Sequence, residues 1–162
     1  MPAKKNTVDI IIETPKGCRN KYAYDEELKK FRLKKILPVG AVFPFDFGFI
    51  PDTKGEDGDP LDVLIIMDEA AYPGCVVECK IIGALQATQS EGDVMIRNDR
   101  LVAVPMGSHM YKNLDSVKDL NKNILSEIEH FFTSYNRQEG KKFVPEGWAD
   151  GHDAMKLIEK AG

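Results

Sequence analysis

Three aspartates, Asp57, Asp59 and Asp62, fall within six residues in the stretch EDGDPLDVLII and run directly into apolar chain. Two like charges about 4 Å apart repel by roughly 1 kcal/mol in water and roughly 4 kcal/mol at an intermediate effective dielectric. Such crowding is unfavourable unless something cationic sits among the carboxylates. The spacing is not that of an EF-hand loop, which needs oxygen ligands at positions 1, 3 and 5 and a glycine at 6. Counted from Asp57, position 5 is Leu61 and position 6 is Asp62. Gly58 permits an unusual backbone angle and Pro60 fixes another, so the segment predicts a stiff turn able to aim three carboxylates inward at the mouth of a strand. All-oxygen ligation of that kind suits Mg2+ or Mn2+, which keep several waters and often bridge to phosphate. Taken alone, the hexapeptide is explained equally well by an Asp-rich surface turn.

Other polar residues weigh on that choice. Glu13 follows the apolar DIII, and Lys21, Lys34, Lys35 and Arg100 sit within or beside strand-like runs. Singly, each reads best as a solvated strand residue. Together, interleaved cations and carboxylates are what a metal-bound polyphosphate requires. Carboxylates hold the metals, Lys and Arg neutralise phosphate oxygens, and one carboxylate can take a proton from an attacking water.

The elements that must position these groups are short strands followed by helices. TVDIIIET, KYAYD, KFRLKKIL, FGFIP, LDVLIIM, CVVECKIIGAL, DVMIRND and RLVAVP read as strands, separated by turns rich in Gly, Pro and Asp. In DSVKDLNKNILSEIEHFFTSYNRQ, apolar residues recur at three to four positions from Leu120 to Tyr135, which predicts an amphipathic helix capped by Asp115 or Ser116. DGHDAMKLIEK predicts a short terminal helix opened by Asp150 or Asp153. The order suggests an α+β fold, with a small closed β-barrel as the economical solution.

At 162 residues and 18.2 kDa the chain fits a single domain, 1–162, with a substantial core. The net charge of −4 and pI of about 5.4 argue against a general nucleic-acid binder. The polar N-terminus carries too short an apolar run for a secretory leader, and no stretch approaches a membrane span, which together predict a cytoplasmic protein. Cys18, Cys75 and Cys79 are odd in number and lack the company of His, so they read as reduced thiols, with Cys75 and Cys79 packed on one face of a strand.

With DGDPLDVL, NKYAYD, FPFDFGFIPDT, RLVAVP, EIEHFF followed by SY, and PEGW in view, the sequence resembles the soluble family I inorganic pyrophosphatases from about IIETPKG to VPEGW. The resemblance implies a five-stranded OB-like barrel with flanking helices, the longest near the C-terminus. It also implies hydrolysis of pyrophosphate with several Mg2+ ions (Mn2+ as the alternative) and a homo-oligomer, usually a hexamer. Asp57, Asp59 and Asp62 fall on the family's metal-binding aspartates, with Asp59 expected to accept the proton of the nucleophilic water. Glu13 matches an acidic residue of the active-site rim, Lys21 a phosphate-binding lysine, and Tyr135 a tyrosine that holds the leaving phosphate. Lys35 stands where the family has a phosphate-binding Arg, and Arg100 where it has a Lys. Asp93 fits a further metal aspartate by spacing, and Asn98 replaces its companion. Ala23, Phe43, Phe47 and Asn136 are other departures: they remove a carboxylate, two phenol hydroxyls and an ammonium. Asp99 lies beside Asn98 as a substitute carboxylate, although adjacent strand residues point to opposite faces.

Two other readings compete with a metal-dependent phosphoanhydride hydrolase. The departures motivate a non-catalytic relative that binds phosphate, or an enzyme for another phosphoanhydride. A nucleic-acid-binding barrel would use the alternating Phe43, Phe45, Phe47 and Phe49, but Asp46 and the acidic loop give the wrong field, and core packing or a subunit contact explains the rings better. His109, His130 and His152 are scattered and suit surface or helix-interface roles, while Trp148 reads as an anchor for the C-terminal segment.

Overall fold

The computed structural model describes residues 7–162, so the polar start read above for a leader lies outside the described residues. In β1 (Thr7–Thr14) the alternation of TVDIIIET buries Ile10, Ile12 and Thr14 on one face. One edge of β1 pairs with β4 (Asp46–Phe49) and the other with β6 (Val76–Glu91). From β4 the ladder continues through β5 (Asp62–Ile65) and β8 (Arg100–Pro105) back to β6, which closes a ring of five strands. Only the β5–β8 pairing within that ring is parallel.

The sixteen residues of β6 outrun the expected strand at its C-terminal end and carry two more partners beyond the ring, β7 (Val94–Arg97) and β9 (Phe143–Asp150). The strand breaks register at Gly83, where a Cβ would run into the Ala149 carbonyl and the Val117 side chain. The missing side chain lets β9 and a 3-10 turn close on the ring.

Apart from Asp62 and Arg100, LDVLIIM and RLVAVP are apolar because both of their faces are covered. Val63, Ile65, Leu101 and Ala103 pack in a cluster that takes Met155, Leu157 and Ile158 from α2 (Gly151–Ala161). Leu64, Leu85 and Ala87 pack instead with Ile128, Phe132 and Tyr135 of α1 (Lys122–Gln138). Adjacent residues of a strand thus serve opposite helices.

The fold is the expected α+β ring with two helices, the longer near the C-terminus, and several details differ. The helix expected from Asp115 or Ser116 is two pieces. Ser116 and Asp119 form a capping box around the 3-10 turn Val117–Asp119, Leu120 is extended, and α1 restarts with Asn121 as its cap. The terminal helix begins as expected, with the Asp150 carboxylate accepting from Asp153 N at 3.0 Å. β9 was not foreseen because Pro145 and Gly147 interrupt its pattern; pairing to β6 alone and a register shift tolerate both. Cys79 is buried as expected, but Cys75 precedes β6 and is exposed, so the two do not share a strand face. The phenylalanines do not form one strand face either: β4 begins at Asp46, and Phe43 packs with Phe47 and Phe131 in the core. Asp46 is fully buried and accepts from Ala71 N and Lys16 N, which removes it from any surface field. Among the described residues no helix is long and apolar enough to cross a membrane.

β2 (Asn20–Asp25) and β3 (Lys30–Ile36) form a separate two-stranded sheet. Reciprocal bonds between Tyr22 and Thr14, both 3.1 Å, and a 2.9 Å bond from Tyr24 N to Glu13 Oε2 tie this hairpin to β1. The hairpin carries Lys21, Lys34 and Lys35.

Candidate active site

The acidic loop leads into β5. Gly55 N donates to Asp59 O at 2.8 Å, Gly58 N to Gly55 O at 3.0 Å, and Asp59 N to Asp57 Oδ1 at 3.0 Å. Gly58 takes φ of 85°, a left-handed conformation that a side chain would strain. The parallel register of β5 and β8 sets Asp62 beside Arg100, with Oδ2 3.3 Å from Nη1. The Arg100 guanidinium lies over the Phe132 and Phe143 rings at 5.0 and 5.6 Å and donates from Nη2 to Gln89 Oε1 at 3.2 Å. Asn98 Nδ2 donates to the same oxygen at 3.0 Å, and Arg100 Nε is buried with no partner among the described residues.

Opposite stands a wall of cations around one phenol. Lys21 Nζ donates to Tyr135 Oη at 2.7 Å, and Lys35 Nζ lies 4.6 Å above the Tyr135 ring while pairing with Glu139 Oε1 at 2.9 Å. Burial lowers the Lys21 pKa against the pull of Asp62 and Glu139. Burial also pushes the Glu13 carboxyl up to about 7, opposed by its bond from Tyr24 N.

The two walls meet in a cleft of about 330 Å³ that brings together Glu13, Lys21, Lys34, Asp59 and Asp62, with Phe47 and Phe49 as apolar lining. Pro60 separates it from a crevice of about 290 Å³, where Asp57 and Asn98 lie with Arg97 and Asp99. Arg100 meets the cleft through Asp62, and Tyr135 and Lys35 through Lys21 and the shared ring. Asp93 is not brought in. It sits exposed in the β6–β7 turn and lines neither cavity. Asp99, beside Asn98, has its carboxylate engaged elsewhere: it accepts from Ala87 N at 2.9 Å and pairs with Arg97. Asn136 turns inward, 1% exposed, and donates to Phe132 O. Two participants escaped the sequence reading. Gln89 carries no signal in an alternating strand, but Glu139 lies four residues after Tyr135 and could have been found by helical spacing.

Whether these residues fit a metal can be judged from their donors and charges. Among the described residues no three His, Cys, Asp or Glu side chains already converge on one point. Burial nevertheless pushes the Asp57 and Asp62 carboxyls up, and Asp59 adds to both through repulsion. Mutually repelling oxygen donors, Asp57 and Asp62 half-buried and Asp59 exposed, beside an open cleft fit a hard divalent cation, which would offset both penalties.

Fold and cleft define a class: an α+β protein with a closed ring of five strands that sets lysines against carboxylates in one cleft. The chain belongs to the inorganic pyrophosphatase family, whose model, described as Inorganic pyrophosphatase, matches residues 10–162. It is 37% identical over 152 residues to the inorganic pyrophosphatase of Methanosarcina mazei, covering 94% of this chain and 88% of the relative. Against that of Halalkalibacterium halodurans it is 37% identical over 160 residues, covering 99% and 96%. The crystal structure of the Thermus thermophilus inorganic pyrophosphatase superposes with a TM-score of 0.88 at 31% identity, covering 99% of this chain and 94% of that one.

Proposed function

We infer that this chain hydrolyses inorganic pyrophosphate to two phosphates with Mg2+, or Mn2+ as the alternative. The carrying observation is a cleft that joins Asp59 and Asp62 to Lys21 in a chain whose family match spans residues 10–162. Asp57, Asp59 and Asp62 would hold the cation, with Asn98 offering a neutral oxygen; Asp93 belongs to the set by spacing alone. When bound, the cation supplies a nucleophilic water at neutral pH and screens phosphate charge. Asp59, which lines the cleft on the open side of the loop, would take the proton of the attacking water. Lys21 and Tyr135 share a hydrogen bond that pre-aims both at the leaving phosphate, and Lys35 adds charge beside them. Glu13, with its carboxyl raised to about 7, can exchange a proton near neutral pH at the rim. Arg100, paired to Asp62 and braced on two rings, would hold that carboxylate in place and add positive charge for the phosphates.

One observation favours a second reading, in which another phosphoanhydride is preferred: Phe47 and Phe49 make part of the cleft lining apolar. The reading further takes the chain as a cytoplasmic homo-oligomer, a hexamer by family resemblance.

The test is phosphate release from pyrophosphate, with and without Mg2+, beside Asp59→Asn. Mg2+-dependent release that falls about 10³-fold in the variant is expected. No release from folded protein with Mg2+ or Mn2+ sinks the pyrophosphatase reading, and release from nucleotides or longer polyphosphates alone would favour the second one.

A further inference from the structure

Glu139 occupies an unusual place for a carboxylate. It is the C-cap of α1, one turn beyond Tyr135, and its Oε1 lies 2.9 Å from Lys35 Nζ, with side chains 25% (Lys35) and 30% (Glu139) exposed. The same Lys35 lies over the Tyr135 ring, whose hydroxyl holds Lys21. One carboxylate, one phenol and two ammoniums therefore form a single network. The C-terminal end of α1 adds a negative partial charge at the same corner. Anionic groups thus stand inside the part of the cleft assigned above to phosphate.

We propose that Glu139 sets the affinity of this site for phosphate, acting as an internal anion that competes with phosphate for Lys35 and so weakens the hold on the product. The proposal rests on the functional reading above, which assigns Lys21, Lys35 and Tyr135 to phosphate. A phosphate approaching Lys35 meets a carboxylate already paired with it, and like charges a few ångströms apart repel more strongly in a partly buried cleft than in water. Burial disfavours ionisation of Glu139, but Lys35, with smaller help from Lys21 and Lys141, holds its carboxyl below the usual range and keeps it charged. The competing account makes Glu139 a brace that steadies the Lys35 chain over the ring. The two accounts predict opposite signs: loss of a brace weakens phosphate binding, whereas loss of a competitor tightens it.

Glu139→Gln separates them, since the amide oxygen still accepts from Lys35 while the charge is gone. Wild type and variant are titrated with inorganic phosphate by calorimetry in the presence of Mg2+, and KM and kcat for pyrophosphate are measured in parallel. The expected result is a phosphate Kd about fivefold lower in the variant, with KM lowered in the same direction. In a Lys35→Ala background the same substitution should leave Kd nearly unchanged, because the contested partner is gone. Unchanged or weaker phosphate binding by Glu139→Gln overturns the proposal, as does tightening that persists without Lys35 or the absence of measurable phosphate binding by wild type. Tightened phosphate binding in a protein that turns over no pyrophosphate would uphold this inference and defeat the hydrolase reading. Turnover without tightening would do the reverse.

Discussion

The two walls of the cleft solve the problem of buried charge differently. On the lysine wall each charge meets a protein partner: Lys21 the Tyr135 hydroxyl, Lys35 both the ring and Glu139. On the acidic wall Asp62 has Arg100, but Asp57 and Asp59 lie close enough to repel, and Asp57 is relieved chiefly by a backbone N–H. A wall whose charges are satisfied can be preorganised before substrate arrives. A wall whose carboxylates are desolvated and crowded stores a need for cations from outside. The cleft is asymmetric because the charges of one side are already answered within the chain and those of the other are not.

Breaking the Asp62–Arg100 pair on the acidic wall is the severest way to break this contrast. Asp62→Ala leaves the 5% exposed Arg100 without its carboxylate and should destabilise the fold by about 2–3 kcal/mol, read as a lower urea midpoint. An unchanged midpoint would show that the stacking on Phe132 and Phe143 suffices for Arg100.

Glu13 tests chiefly desolvation, with repulsion from Asp62 acting in the same direction. Its folded pKa of about 7 lies above the ordinary 4.5, so the folded state holds the extra proton. Its contribution to stability is fully present below about pH 4.5 and is lost as pH rises through 7. Metal-free wild type should therefore lose stability relative to Glu13→Gln between pH 5 and 8, by at most about 3 kcal/mol in urea unfolding. A difference that does not vary with pH would mean that Glu13 titrates normally and that the rim is wetter than its geometry implies.

The smallest effect sharpens the lysine wall. Tyr135→Phe keeps the ring under Lys35 and removes only the hydroxyl that accepts from Lys21. A loss of about 1 kcal/mol, or roughly five- to tenfold in kcat/KM for pyrophosphate, is expected. If kcat/KM is unaltered, the phenol serves the core alone.

Much of this arrangement was legible beforehand, for identifiable reasons. DGDPLDVL carries its chemistry in local spacing, and a stiff Gly–Pro turn ahead of a buried strand needs no distant partner to be recognised. The ring strands showed themselves by alternation or by continuous apolar runs, and α1 by its three-to-four spacing. β9 did not, since its strand character comes from the edge of β6 and not from its own Pro- and Gly-interrupted sequence. Asp93 matched by spacing along the chain, yet the β6–β7 hairpin carries it to an exposed turn. Counting residues cannot show that a strand has been lengthened into a hairpin. Gln89, by contrast, looks like any polar strand residue until the fold sets it against Asn98 and Arg100.

The sequence by itself determined the kinds of groups available, the stiffness of the acidic turn, and the periodicities that make five ring strands and two helices. These follow from side-chain chemistry and from backbone preferences acting over a few residues. Only the tertiary structure decided which groups share a cleft and which charge is already answered. Lys21 meets Tyr135 across 114 residues and Lys35 meets Glu139 across 104. Pairing at that separation is set by ring closure and helix packing, and a buried charge acquires its energy from whatever those contacts place beside it.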